Sequence, residues 1–350
     1  MTEAPAVDES ELLEVGDLDA EAWTEFAVQQ GWSDGMPLVP PTEAAVARCV
    51  AAAHGDNEPF APIPPRQVAP TLQSLAANAV MAGCKPEYFP VVLAALRGVL
   101  NADYNLHGTL ATTHPCAPMV MVSGPLRHEL SINCSSNCFG QGWRANATIG
   151  RALELILLNV GGAKPGLMDR STMGSPAKYS FCFGENAEES PWAPYHVRRG
   201  FAPDDSVVTV MAAEPPHNIN DHGSNSGDGI LTTFASVMAQ AGANTIYGGG
   251  PSIVVVGPEH AATLARDKWT TETIQQHLYE KARVPEGNVS PENRERYAET
   301  GHVPENGFYK IAPDPEFIHV LVAGGPGKHS AWIPSFGGTA VISMRVKQLR

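Results

Sequence analysis

The densest group of residues that could do chemistry lies in the segment EPPHNINDHGSNSGDG, positions 214–229. Imidazole and carboxylate side chains occur together here, and zinc, iron, manganese and nickel accept such ligands. The segment follows a predicted strand, and α/β proteins bind ligands where strands end. We expect a site formed by His217, Asn218, Asn220, Asp221 and His222. The alternative is a surface loop whose side chains bond to their own backbone.

A second histidine-bearing segment, NLHGTLATTHPC, spans positions 105–116. Together with His217 and His222, its His107 and His114 would supply four imidazoles, more than the three protein ligands of a catalytic zinc site. With Asp221, they form our candidate ligand set for a divalent metal: Zn, Fe, Mn or Ni. The alternative is that these histidines are ordinary capping or core-edge residues.

Cys84 is the most suggestive thiol, because it lies in GCKP between two predicted helices. Gly83 is typical of a helix end and Pro86 of a first helical turn. If the second helix begins near residue 86, its positive end lowers the pKa of the Cys84 thiol and makes a nucleophile available. The alternative is a small buried residue without reactivity.

The other cysteines give weaker signals, and the chain contains no CxxC pair. Cys134 and Cys138, in NCSSNCFG, could form a redox pair or bind a soft metal, unless the turn points their side chains apart. Cys49, Cys116 and Cys182 lie in apolar surroundings and are expected to be packing residues.

Two further segments suggest substrate binding. GQGWRANATIGR places Arg144, Asn146 and Arg151 near a helix start, where guanidinium and free backbone N–H groups bind a carboxylate or phosphate. FGENAEESPWAPYHVRRGF contributes Glu185, Glu188 or Glu189 as a candidate general base, with Glu185 preferred, and His196 as a substrate contact. Solvated surface charge is the alternative for these residues. We expect the site where these loops meet the histidine segments, with Cys84 nearby.

The apolar pattern predicts an α/β fold: a mixed or mostly parallel sheet with flanking helices, after a helical N-terminal region. We interpret residues 1–16 as an acidic tail, residues 17–104 as a mainly helical region, and residues 105–350 as an α/β body that carries the site. The alternative is that residues 17–104 and the body form one continuous domain. Predicted strands lie at 118–125, 178–183, 205–213, 251–258, 317–327 and 339–346.

An internal duplication is one option for this body. VMVSGP, IVVVGP and VLVAGGPG each end an apolar strand in a turn rich in Gly and Pro. The alternative is that strand ends favour these residues in any case.

Composition excludes several classes of function. The 350 residues carry 23 Lys and Arg against 37 Asp and Glu, a net charge of −14, which disfavours nucleic acid and anionic membranes as partners. No apolar run is long enough to span a membrane, and the acidic N-terminus does not resemble a signal peptide. We therefore expect a cytosolic protein with reduced thiols and a small-molecule substrate, assembled as a homo-oligomer.

Several runs together resemble an uncharacterised bacterial family, and the resemblance spans most of the chain. They are DGMPLVPPT (34–42), NAVMAGCKPEYFPVVLAAL (78–96), NLHGTLATTHPCAP (105–118), GWRANATIGRALELILLNVGG (142–162), SPWAPYHVRRGF (190–201), PHNINDHG (216–223) and GGPGKHSAWIPSFG (324–337).

The first and last of these runs are also similar to sequences found beside UGSC-motif (seleno)proteins. That association implies thiol or selenol chemistry, although this chain has no Gly-Ser-Cys sequence. The resemblance also implies shared residues at Cys84, His107, His114, His196, His217 and His222. Cys134 and Cys138 depart from the small residues usual there.

The sequence leaves three hypotheses of function open. In the first, the Cys84 thiolate cleaves or reduces a carbon–heteroatom bond of a small anionic molecule, with histidine as acid or base and Arg144 holding the anion. In the second, the histidine and aspartate set holds a divalent metal in a hydrolase or lyase. In the third, the protein is a non-catalytic oligomeric ligand-binding protein.

Overall fold

The computed structural model describes Gly16, residues 18–54, Asp56 and residues 58–347. The predicted acidic tail, residues 1–16, lies outside this part of the chain except for Gly16.

The N-terminal region is helical, as predicted, and polar side chains cap the starts of its helices. The Asp19 side chain accepts a hydrogen bond from the N–H of Ala22, and Thr42 accepts one from Ala45. Gly83 ends the third helix in the left-handed conformation, with φ 92°. These helices are α1 (Ala20–Gln29), α2 (Glu43–Ala52), α3 (Leu72–Ala82), α4 (Phe89–Val99) and α5 (Leu106–Ala111).

Ten strands and eight further helices form the rest of the described chain. The strands are β1 (Ala117–Ser123), β2 (Cys182–Gly184), β3 (Val207–Ala213), β4 (His217–Asn220), β5 (Ser252–Val256), β6 (Arg283–Pro285), β7 (Phe308–Lys310), β8 (Ile318–Val322), β9 (His329–Pro334) and β10 (Ile342–Arg345). The helices are α6 (Leu126–Glu129), α7 (Arg144–Ile156), α8 (Tyr195–Arg198), α9 (Gly227–Met238), α10 (Asn244–Gly248), α11 (Pro258–Arg266), α12 (Thr271–Lys281) and α13 (Pro291–Glu299).

Eight strands form two four-stranded sheets, in the orders β10-β3-β1-β2 and β4-β9-β5-β8, while β6 and β7 pair separately. In each large sheet one pair is parallel, β1 with β2 and β5 with β8, and the other pairs are antiparallel. The fold is therefore α/β with mixed sheets, and the mostly parallel alternative is wrong.

The two large sheets pack face to face, because their strands are apolar on both sides. Met119 and Met121 of β1 share one buried cluster with Ile253 and Val255 of β5. The alternate residues of β1 join a cluster with α3, α4 and α7, and those of β5 a cluster with α9, α11 and α12. The order of layers is therefore helix, sheet, sheet, helix.

The two sheets repeat one connection pattern. In each half, the first strand (β1 or β5) pairs parallel with the second (β2 or β8) and antiparallel with the third (β3 or β9). The fourth strand then crosses over: β4 pairs with β9, and β10 pairs with β3. The duplication expected from the Gly-Pro turns is therefore matched by the topology, with the last strands exchanged between the halves.

Two local predictions were wrong, and one strand was missed. The strand expected at 178–183 is confined to β2, because a 3₁₀ turn at Pro176–Lys178 precedes it. The histidine segment is not a free loop, since His217–Asn220 form β4. The partner strand β9 was not expected at all.

Among the described residues, no single helix is both long and apolar enough to cross a membrane. Leu72–Ala82 and Pro86–Val99 meet that test only when taken together, and they are bent by 119° at their join.

Candidate functional site

Cys84 is buried and does not have the lowered pKa that its position suggested. Its Sγ lies 3.2 Å from the backbone oxygen of Thr148, on α7. Burial raises the pKa of the thiol to about 12. A 3₁₀ turn, Pro86–Tyr88, separates Cys84 from α4, and neither of the cavities described below is lined by it. The geometry around Cys84 therefore gives no support to an activated thiol.

His114 and His217 meet at one carboxylate that sequence analysis did not single out. His114 Nε2 lies 2.9 Å from Glu214 Oε1, and His217 Nε2 lies 3.5 Å from Glu214 Oε2. Burial alone would raise the pKa of Glu214, but the hydrogen bonds from both histidines lower it to about 2. Glu214 thus joins the end of β3 to the segment before β1.

The remaining members of the expected metal set lie apart. His107 is exposed on α5. Asp221 accepts hydrogen bonds from the Ser224 N–H and the Thr233 hydroxyl, at 2.9 and 2.7 Å, so it holds its own turn together. His222 faces His329 instead. Within the described ranges, no three His, Cys, Asp or Glu side chains are arranged to hold a metal ion.

Three of the residues expected to bind an anion make hydrogen bonds within the protein. Arg144 Nε donates to the Gly83 carbonyl oxygen at 2.9 Å, and Asn146 is buried against the backbone of Asn133. Arg151 holds the Asp34 carboxylate through two hydrogen bonds, of 2.7 and 2.8 Å. These side chains position the chain segments around α7.

Glu185 and His196 lie in the interior. Glu185 Oε1 accepts a hydrogen bond of 2.6 Å from the Tyr195 N–H, and burial raises the pKa of this carboxyl group. His196 Nε2 lies 3.4 Å from the Pro203 carbonyl oxygen. Both residues stabilise the connection from β2 to β3, and neither lines one of the two cavities.

Cys134 and Cys138 are both buried free thiols. Arg127 Nη1 lies 2.9 Å from Cys134 Sγ, yet burial still raises the pKa of that thiol. Cys138 lines a cavity of about 440 Å³, together with Asn218, Gly324 and His329. Asn220, at the end of β4, is exposed and lies outside this cavity.

A larger cavity of about 830 Å³ opens between α5, α7 and the segment 163–179. Its walls combine apolar side chains with hydroxyl and charged groups. The residues with hydroxyl or charged groups that line it are Ser33, Asp34, Tyr104, Thr109, Glu154, Asp169, Ser171, Ser175, Lys178 and Tyr179. The loops predicted to converge on the site contribute only Thr109, Leu110 and Cys116 to this wall.

Glu154, on α7, is the strongly perturbed carboxyl group in this cavity. Burial raises the pKa of its carboxyl group to about 8, against a smaller opposing effect of Lys178. Its Oε1 is buried and finds no hydrogen-bond partner in the described chain. The buried hydroxyl of Tyr104 is also without a partner among these residues, and burial raises its pKa. Both groups are therefore protonated at neutral pH.

The charged groups around Glu154 are paired. Lys178 Nζ lies 2.8 Å from Asp169 Oδ2, and Asp34 is held by Arg151. Sequence analysis did not single out Glu154. A single carboxylate inside the run ALELILL was the available signal, since acidic residues are rarely buried without a reason.

No family model matches the sequence, and the comparison with curated proteins also found no match.

Proposed function

We propose that the protein is an enzyme that cleaves a carbon–oxygen or carbon–nitrogen bond of a small anionic molecule, with Glu154 as the general acid. The observation that carries this proposal is the Glu154 carboxyl group in the larger cavity, which has a buried oxygen without a partner among the described residues and whose pKa burial raises to about 8. Buried polar atoms in folded proteins are normally paired, so an unpaired one in a cavity favours a ligand as its partner.

The pKa of Glu154 suits an acid that works near neutral pH. A general acid is most effective when its pKa lies close to the pH of the reaction. As the bond to carbon breaks, the leaving heteroatom takes the proton of Glu154. Water supplies oxygen to the carbon, and the proton it releases restores the carboxyl group, so that one water is consumed in each turnover.

Tyr104 and Lys178 provide the other interactions that such a substrate needs. The Tyr104 hydroxyl is a second free donor, and a donor in a buried site stabilises negative charge that develops on an oxygen. Lys178 is the basic residue among those lining the cavity, and its ammonium group has three N–H donors. One of these bonds Asp169, so a substrate carboxylate or phosphate could accept another.

The thiol and metal hypotheses have less support at this cavity. Cys116 lines it, but burial raises the pKa of that thiol to about 12, so little thiolate forms at neutral pH. The histidines expected as metal ligands are not among its lining residues. A non-catalytic binding protein would use the same cavity. One substitution distinguishes this hypothesis from the proposal of an enzyme.

That substitution is Glu154→Gln, which keeps the shape and a hydrogen-bond donor but has no acidic proton. Wild type and variant are incubated with a small-molecule extract, and untargeted mass spectrometry measures which compounds are consumed and which co-purify with the protein. The control is Glu299→Gln, an exposed carboxylate on α13.

We expect wild type and Glu299→Gln to consume one anionic compound at the same rate. Glu154→Gln should bind that compound but turn it over at least about 100-fold more slowly, since general acids contribute roughly 10²- to 10⁴-fold. Binding without consumption in all three proteins would establish the non-catalytic alternative. Unchanged consumption by Glu154→Gln would show that Glu154 is not the acid.

A further inference from the structure

The structure brings together two histidines that lie 107 positions apart, at the end of the molecule where β4 pairs with β9. His222 follows β4, and His329 is the first residue of β9. Their Nε2 atoms are 3.2 Å apart, and both side chains are exposed. Asn220 pairs with His329 across the two strands, so backbone hydrogen bonds hold this end of the pair in register.

The hydrogen bond between His329 and Asn218 determines which ring nitrogen of His329 carries no proton. His329 Nδ1 lies 3.0 Å from the Asn218 side-chain oxygen Oδ1, which can only accept. Nδ1 therefore carries the ring proton, and Nε2 presents a lone pair toward His222. In proteins, histidines that bind metal ions are oriented in this way, by a hydrogen bond from the other ring nitrogen.

The distance between the two imidazole rings distinguishes a direct hydrogen bond from an arrangement in which both rings bind one ion. The ring centroids are 5.1 Å apart, and the ring planes make an angle of 75°. A linear N–H···N bond of the observed length would place the centroids roughly 5.5 Å apart, given ordinary hydrogen-bond geometry. Two imidazoles bound to one tetrahedral ion, at about 2.1 Å each, have nitrogens roughly 3.4 Å and centroids roughly 5.3 Å apart. The observed centroid distance is nearer to that of the shared ion than to that of the linear hydrogen bond.

We propose that His222 and His329 form a binding site for one divalent transition-metal ion of the imidazole-preferring kind, such as Zn²⁺, with Asn218 as the residue that orients His329. The described residues supply two protein ligands, so the remaining positions belong to water or to a small molecule. Asn218 and His329 line the 440 Å³ cavity, from which such a molecule would reach the ion. This site is separate from Glu154 and independent of the proposed function.

One neighbouring charge opposes binding and explains why the affinity should be moderate. Lys328 Nζ donates to the backbone oxygen of His222 at 3.2 Å. Its hydrogen bond holds the two histidine-bearing segments together, while its positive charge repels a cation. We therefore expect a site that is loaded by added metal and emptied by a chelator.

The test is a calorimetric titration of the full-length, chelator-treated protein with Zn²⁺ at pH 7.5. Wild type should bind one ion per chain at this site, and His222→Ala and His329→Ala should each weaken it at least about 10-fold. Asn218→Ala should weaken it roughly 10-fold, as for other residues that orient ligands, whereas Asn218→Asp should restore or strengthen it because a carboxylate accepts the same bond. The control His107→Ala removes another exposed histidine and should change nothing.

Thermal unfolding without metal verifies that all variants are folded, which their exposed positions favour. A wild type that binds no Zn²⁺ would overturn the proposal. So would Zn²⁺ binding that is equal in wild type, His222→Ala and His329→Ala, since the ion would then be held elsewhere, for example by the thiols. Loss of binding in Asn218→Asp as severe as in Asn218→Ala would refute the orienting role of Asn218.

Discussion

Replacing Glu154 by glutamine should make the protein more stable, and the gain should grow with pH. The Glu154 carboxyl has a pKa of about 8 in the folded protein, against 4.5 for a solvated glutamate. Folding therefore keeps a proton on Glu154 that the unfolded chain releases at neutral pH. The free energy of unfolding must then fall as pH rises from about 4.5 to about 8, and level off above.

The size of this effect follows from the shift in pKa. One pKa unit corresponds to about 1.4 kcal/mol, so the full shift is worth on the order of 5 kcal/mol. Between pH 5.5 and pH 7.5 the stability of wild type should fall by about 3 kcal/mol relative to Glu154→Gln. Effects of other titrating groups are common to both proteins and cancel in the difference.

The assay is urea unfolding, monitored by circular dichroism, at pH 5.5, 6.5, 7.5 and 8.5. Wild type, Glu154→Gln and the exposed control Glu299→Gln are compared at each pH. The difference between Glu154→Gln and wild type should rise with pH, while Glu299→Gln should follow wild type. Parallel curves for Glu154→Gln and wild type would mean that Glu154 is ionised in the folded protein, and the general-acid proposal would fail with it.

Three further predictions concern residues around α7 and β3. Iodoacetamide at pH 8 should alkylate Cys84 at least about 100-fold more slowly in the native than in the unfolded protein, because burial raises the pKa of its thiol to about 12. Peptide mass spectrometry measures both alkylation rates, and equal rates would contradict this prediction. Arg151→Lys should lower the free energy of unfolding by about 1 to 3 kcal/mol, since lysine cannot make both hydrogen bonds to Asp34; an unchanged urea midpoint would refute it. Glu214→Gln should lower the free energy of unfolding by about 3 kcal/mol at pH 7. The difference from wild type should shrink as pH falls from 4.5 toward 2, because wild-type Glu214 takes up its proton there. A difference that is independent of pH would count against the pairing of Glu214 with His114 and His217.

Local signals in the sequence predicted much of the secondary structure. The residues at helix ends are of the expected types: the Asp19 and Thr42 side chains bond to the neighbouring backbone, and Gly83 adopts the left-handed conformation. Long apolar runs marked β1, β3, β5 and β8. Strand β4 escaped notice because Ile219 is its single buried residue, so HNIN has no apolar pattern.

The sites were harder to predict, because tertiary packing brings together residues that are far apart in the sequence. Tyr104, Glu154 and Lys178 come from three different segments, and no spacing rule connects them. His222 was singled out for its type, but its partner His329 became visible only through the pairing of β4 with β9. For Cys84 the local argument was sound about the helix boundary, yet burial outweighed any effect of the helix end on the thiol.

Because the last strands are exchanged between the halves, the same fold could be assembled from two separate polypeptides. A polypeptide with only the first half would hold β1, β2 and β3, and its β4 would have no β9 to join. Two such polypeptides could each complete their sheet with the fourth strand of the other copy. This exchange is the geometry of a domain-swapped homodimer. The present chain has the connectivity that fusing the subunits of such a dimer would produce. Neither half can then detach without leaving an unpaired strand edge on the other, so the two halves should unfold as one cooperative unit.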